Sequence, residues 1–142
     1  MVGLDTNVLV RYLAQDDIIQ SRQATQIIER QLTEESPGFI SLVTIVETVW
    51  VLHRVYGLSN REVAAAVERI LQANTFLVQN EQEVFTALTA LKTGVGSFSD
   101  ALIGALGEWA GCMATLTFDK KAKRLKQFRL SSSSKLPSES RS

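Results

Sequence analysis

Val2-Gly3-Leu4-Asp5-Thr6-Asn7-Val8-Leu9-Val10-Arg11-Tyr12-Leu13 begins as a short apolar run and changes character at its one acid. Residues 2–5 read as a strand, and Val8 to Leu13 as a helix whose start Thr6 is placed to cap. A strand that passes directly into a helix is how a parallel crossover begins, and the same alternation recurs downstream. Residues 17–35 carry Ala24, Ile27, Ile28 and Leu32 at helical spacing, and Pro37-Gly38 marks a turn. Phe39-Ile40 is a second short strand, followed by a helix from Ser41 to about Tyr56 that Gly57 ends. Ser59-Asn60-Arg61-Glu62 has the spacing of a capping box and opens a helix with Val63, Val67, Ile70 and Leu71 on one side.

A third strand is expected at 75–78 and a helix at 82–93, with Val84, Leu88 and Leu91 on one face and Gly94 at its end. After Gly94-Val95-Gly96-Ser97-Phe98-Ser99, a helix is expected from Asp100 to about Ala110. Its Ala101, Gly104, Ala105 and Gly107 permit close packing on a sheet. Residues 113–118 read as a fourth strand and 120–126 as a short basic helix. Residues 131–142, Ser-rich with Pro137, read as a flexible tail. Strands separated by helices predict an α/β fold, its short, mainly parallel sheet covered on both faces.

Composition narrows the function. The 142 residues, 45% hydrophobic and 21% charged, suit one globular domain. No stretch approaches the roughly 20 apolar residues of a membrane span. Met1-Val2-Gly3-Leu4-Asp5 has no basic segment, so no signal peptide is expected. The single cysteine, Cys112, excludes a disulfide within the chain, and the single histidine, His53, excludes zinc sites built on paired His or Cys. His53 lies in an apolar run with no nucleophile motif beside it, which suits a helix-face residue better than a catalytic base. Carboxylates are left to carry any chemistry.

The net charge of +0 conceals an asymmetry: residues 1–119 hold 7 Lys and Arg against 14 Asp and Glu, and residues 120–142 hold 8 against 1. Four acids fall at or near element boundaries or in apolar surroundings. Asp5 ends the first strand and Asp119 follows the fourth, which aims both at the carboxyl edge of a parallel sheet if those strands are neighbours. Asp100 opens a helix after the glycine loop. Glu47 sits within Ile40-Ser41-Leu42-Val43-Thr44-Ile45-Val46-Glu47-Thr48-Val49-Trp50-Val51-Leu52, where a buried carboxylate needs a cation or several donors. A salt bridge to Arg11 or Arg54 would satisfy it, and so would a metal or a proton. Two such charges ~4 Å apart repel by about 4 kcal/mol at an effective dielectric near 20. Convergence of all four therefore calls for cations or raised pKa values, and where it is a cation, oxygen ligands without His or Cys select Mg²⁺ or Mn²⁺. Such an ion points to phosphoryl chemistry. Lys120, Lys121, Lys123 and Arg124, directly after Asp119, are placed to hold a polyanion such as RNA.

Leu4-Asp5-Thr6-Asn7-Val8-Leu9, Glu47 in its apolar helix, Ser99-Asp100-Ala101-Leu102-Ile103 and Leu116-Thr117-Phe118-Asp119 together resemble the PIN-domain nucleases. Within that family they are most similar to the VapC-type toxins of bacterial toxin–antitoxin pairs. The resemblance covers about residues 1–130 and implies a single three-layer α/β/α domain there. It implies a cytoplasmic Mg²⁺- or Mn²⁺-dependent endoribonuclease that hydrolyses RNA with metal-activated water and no covalent enzyme intermediate. Asp5, Glu47, Asp100 and Asp119 would form the acidic metal site, Asp5 and Asp100 foremost, with Thr6, Asn7 and Thr117 supporting it by hydrogen bonds. It further implies a homodimer and a cognate VapB-type antitoxin whose C-terminal segment blocks the site.

Two other readings compete. Leu4-Asp5-Thr6-Asn7 could serve an aspartate-nucleophile phosphatase, but that chemistry wants a second acid where this chain has Asn7. A non-catalytic PIN-like module could use the same crevice to hold RNA or a protein.

Overall fold

The backbone leaves its first strand, β1 (Val2–Gly3), through Asp5, whose extended φ of −95° and ψ of 174° set it as the cap of helix α1 (Thr6–Ala14). Asp5 Oδ1 accepts from the Val8 N–H at 3.2 Å, supplying a partner that the first helical turn lacks. Thr6, expected to be the cap, is instead the first helical residue. This computed structural model describes residues 1–131 and 136. The chain divides into two compact units, Met1–Glu81 and Gln82–Ser142.

In the first unit α1 is followed by α2 (Ile18–Gln26), capped by Asp17 and running on into a π-helical turn, Ile27–Gln31. Strand β2 (Gly38–Ile40), helices α3 (Leu42–Arg54) and α4 (Asn60–Gln72), and strand β3 (Phe76–Val78) complete it. The strands form a parallel sheet in the order β1-β2-β3, with Val2 opposite Gly38 and Phe39 opposite Leu77. The capping box at the start of α4 is complete, Ser59 accepting from the Glu62 N–H while the Glu62 carboxylate accepts from the Ser59 N–H. That second bond holds the Glu62 carboxyl below its ordinary pKa. Leu9, Ile40, Ile45, Leu52, Val63, Val67 and Ile70 are almost wholly buried and form the core of this unit.

The second unit holds α5 (Glu81–Thr93), whose first residue closes the preceding unit, then α6 (Phe98–Trp109) and strands β4 (Thr115–Thr117) and β5 (Phe128–Leu130). β4 and β5 are parallel, Thr115 opposite Phe128 and Thr117 opposite Leu130. Helix α6 carries glycine where it meets these strands: a Cβ on Gly104 would lie 2.7 Å from Phe128 Cε2, and one on Gly107 would lie 2.7 Å from Thr115 Oγ1. The small-residue face expected from the sequence does pack on a sheet.

The α/β class with short parallel strands is therefore observed, as two sheets in place of one. β1 pairs with β2, and β4 with a strand the sequence reading did not anticipate, β5. Helix α6 begins at Phe98, two residues earlier than expected, because Ser97 caps it. The basic helix expected at 120–126 is a single 3₁₀ turn, Ala122–Arg124. Of the tail expected from 131, only Ser131 and Leu136 are among the described residues, and the Ser131 N–H donates to Thr117 O at 2.8 Å, extending the β4–β5 ladder. Among the described residues no helix is long and apolar enough to cross a membrane.

Candidate nuclease site

Asp5, Thr6, Asn7 and Glu47 belong to the first unit; Asp100, Thr117, Asp119 and the basic run belong to the second. In the first, the Thr6 hydroxyl donates to Glu47 Oε1, joining the start of α1 to the second turn of α3. Glu47 is exposed, contrary to the expectation of a carboxylate in apolar surroundings. Its helix neighbours explain this. Val43, four residues before it, is 75% exposed and Trp50, three after, is 55% exposed, so all three share an outward face while Ile45, Thr48, Val49 and Leu52 turn inward. The expected alternative of a Glu47–Arg11 salt bridge is not formed, since Arg11 pairs with Asp16 at 3.3 Å.

Each acid is fixed by local chain geometry. Asp5 is held by the Val8 N–H, as described. Asp119 Oδ1 accepts from the Lys121 N–H at 2.8 Å, and the Asp119 N–H donates to Thr117 Oγ1 at 2.9 Å. Thr117 thus positions Asp119 through its backbone. Asp100 is half-buried in the first turn of α6, and its N–H donates to the capping Ser97 Oγ at 3.1 Å. An acid in that turn also meets the positive end of the helix dipole.

Asp5, Glu47 and Asp119 therefore each commit one carboxylate oxygen to the chain's own donors. Among the described residues the second oxygen of each makes no hydrogen bond. Oriented carboxylates with an oxygen to spare suit a hard divalent cation or a water. Among the described residues of either unit, however, no three His, Cys, Asp or Glu side chains stand close enough together to enclose an ion.

Lys120, Lys121, Lys123 and Arg124 are all exposed, and among the described residues none forms an ion pair. Ala122 and Leu125 between them are buried and anchor the turn, which leaves the cations facing solvent. His53 is half-buried with Nδ1 3.2 Å from Leu58 O, where it ties the end of α3 to the following loop.

The structure also brings forward residues that the sequence reading passed over. Asp5 and Asn7 line a cavity of about 250 Å³ together with Arg11 from α1 and with Gln20 and Gln23 from α2. Arg11 is the hub of a network there: its Nε donates to Gln20 Oε1 at 2.8 Å, and its Nη1 to Asp16 and to the Tyr56 hydroxyl. Tyr56 in turn donates to Asp16 Oδ2 at 2.8 Å. That hydrogen bond and, less strongly, Arg11 hold the Asp16 carboxyl below its ordinary pKa. Burial, then the Asp16 carboxylate, raises that of Tyr56. The signal in the sequence was the spacing, Asn7 and Arg11 four apart and Gln20 and Gln23 three apart, which puts each pair on one helix face.

A comparison with curated proteins gives no match. The family model described as PIN domain matches residues 2–127, taking in most of both units. The chain belongs to the PIN domain family, whose fold is of nuclease type and whose members are generally nucleases.

Proposed function

We propose that this protein is a Mg²⁺- or Mn²⁺-dependent endoribonuclease and the toxin of a toxin–antitoxin pair. The observation that carries the reading is the set of four acids, three of them oriented by their own chain with one oxygen uncommitted. Asp5, Glu47, Asp100 and Asp119 would hold the cation, whose contribution when bound is to polarise a phosphate oxygen and make water more acidic. The chain's own part is positional. The Val8 N–H and Thr6 hydroxyl fix Asp5 and Glu47, while the Lys121 N–H and Thr117 fix Asp119. Lys120, Lys121, Lys123 and Arg124 would draw in the RNA backbone electrostatically. The toxin role, a VapB-type antitoxin, a homodimer and action in the cytoplasm follow from the resemblance of the quoted motifs to VapC-type toxins.

The test is cleavage of total cellular RNA by purified, antitoxin-free protein in Mg²⁺, in Mn²⁺ and in EDTA, with Asp100→Asn beside it. Discrete fragments that need both the cation and Asp100 are expected. A folded Asp100→Asn protein of full activity would overturn the assignment, and tight RNA binding without cleavage in any divalent cation would favour a non-catalytic module.

A further inference from the structure

The cavity beside Asp5 has a composition that metal binding does not explain. Asp5 reaches it from one side, but its remaining polar wall is made of carboxamides and one guanidinium: Asn7, Gln20, Gln23 and Arg11. Val8, Ala24 and Ile27 supply apolar surface between them. At about 250 Å³ it falls below the ~300 Å³ at which pockets for drug-sized ligands begin, and so suits a single flat ring system. A phosphate is a poor match, because the one cation present is already paired with Asp16. A neutral, planar group with polar edges and apolar faces is a good one. In a single-stranded nucleic acid that group is the base, whose edges stand free to be read.

The hydrogen-bond network narrows the choice of base. Arg11 Nε–H can only donate, so the atom of Gln20 that it meets at 2.8 Å is the carbonyl oxygen, and the Gln20 NH₂ is left as a donor. Arg11 has its Nη1 engaged by Asp16 and Tyr56, which leaves Nη2 as its remaining donor. Guanine offers two neighbouring acceptors on one edge, O6 and N7. Adenine offers N7 beside an amino group, which would set a donor against a donor.

We propose that this cavity is a guanine subsite, in which Gln20 and Arg11 read the O6/N7 edge of a base adjoining the scissile phosphate of single-stranded RNA. Asp5 lines the same cavity, and the neighbouring scissile phosphate follows from its assignment as a cation ligand, so that part rests on the nuclease reading. The Asp16–Tyr56 pair holds the Arg11 fork still and through it the Gln20 amide. A replacement of Gln20 by glutamate keeps the acceptor for Arg11 Nε and turns the outward donor into an acceptor. It should therefore invert the preference while preserving the network.

The experiment is fluorescence anisotropy with the full chain in EDTA, using labelled uridine hexamers that carry one guanosine, one 7-deazaguanosine or one adenosine. Cleavage mapping on a random-sequence RNA pool in Mn²⁺ runs beside it. The guanosine hexamer is expected to bind about tenfold more tightly than the adenosine one, and 7-deazaguanosine, which lacks the N7 acceptor, to lose most of that gain. Gln20→Glu should abolish or reverse the difference, and Gln26→Glu on the same helix should leave it intact. Equal binding of the three hexamers to the unaltered protein overturns the proposal, and that comparison holds even where Gln20→Glu fails to fold. An unchanged preference in folded Gln20→Glu overturns it too. Guanine selection without cleavage removes the nuclease reading and keeps the subsite; cleavage without base preference does the reverse.

Discussion

Thr6 Oγ1 donates to Glu47 Oε1, so the residue that opens α1 holds the one acid of α3. A carboxylate on an exposed helix face has several rotamers, and a single hydrogen bond from a half-buried hydroxyl selects among them. Thr6→Val keeps the shape and removes the donor. On the proposed cation site it is expected to lower kcat/KM for RNA by roughly ten- to a hundredfold, the range found when a partner of a metal ligand is lost. Thr6→Ser should retain most of the activity, and a Mn²⁺ titration of the three proteins should rank them in the same order.

Thr48 is 1% exposed, and its hydroxyl has no hydrogen-bond partner among the described residues. A buried polar group left unpaired costs on the order of 1–3 kcal/mol. Thr48→Val is therefore expected to stabilise the protein by about 1 kcal/mol, raising Tm by roughly 3 °C. Thr48→Ser, which keeps the hydroxyl and gives up a buried methyl, should lower it by a similar amount. Thermal melts followed by circular dichroism check both.

Gly104 stands where α6 meets β5, and a methyl group there would lie 2.7 Å from the Phe128 ring. The ring is 7% exposed and has little room to withdraw. Gly104→Ala should cost about 1–3 kcal/mol despite the better helix propensity of alanine. Combining it with Phe128→Leu should cost less than the sum of the two single changes, measured by urea unfolding.

The Arg11–Asp16–Tyr56 network gives a pH signature. Asp16 has a lowered pKa in the folded protein, so its contribution is complete above its ordinary value of 3.8 and is lost as pH falls through the folded value. Tyr56 has a raised pKa, so its contribution is complete below its ordinary value of 10.0 and is lost as pH rises through the folded value. Tyr56→Phe should thus lower Tm across the neutral range, and the gap to the unaltered protein should close at both extremes. A Tm difference that does not vary with pH would dissociate Tyr56 from Asp16.

Much of the fold was legible because long helices repeat their pattern often enough to be counted. The capping box at Ser59 and Glu62 and the small face of α6 both appear where the spacing put them. The strands were harder. β5 is no shorter than β2, β3 or β4, but it lies between a basic run and a Ser-rich stretch that each suggest something else. The exposure of Glu47 is not legible in its immediate chain neighbours, which are apolar, because a helix sets its environment through residues three and four away, here Val43 and Trp50. At the start of α1 Asp5 and Thr6 both carry cap-forming side chains, and the sequence does not reveal that Asp5 is the one that caps. The guanidinium and carboxamides beside it carry only a faint signal in the sequence, since polar residues on amphipathic helices usually only face water.

The last paired residues have a practical consequence. The family match stops at 127, yet among the described residues β4 finds its ladder partner in Phe128–Leu130, with Ser131 continuing the pairing. A chain trimmed to the family boundary would keep the Thr115 N–H bond to Gln127 O but lose the residues opposite Thr115–Thr117 and the Ser131 N–H that Thr117 O accepts from. An open edge of that kind recruits strands from other molecules. Trimming at 127 is therefore a route to sticky, self-associating protein, and an affinity tag at this end belongs beyond residue 131.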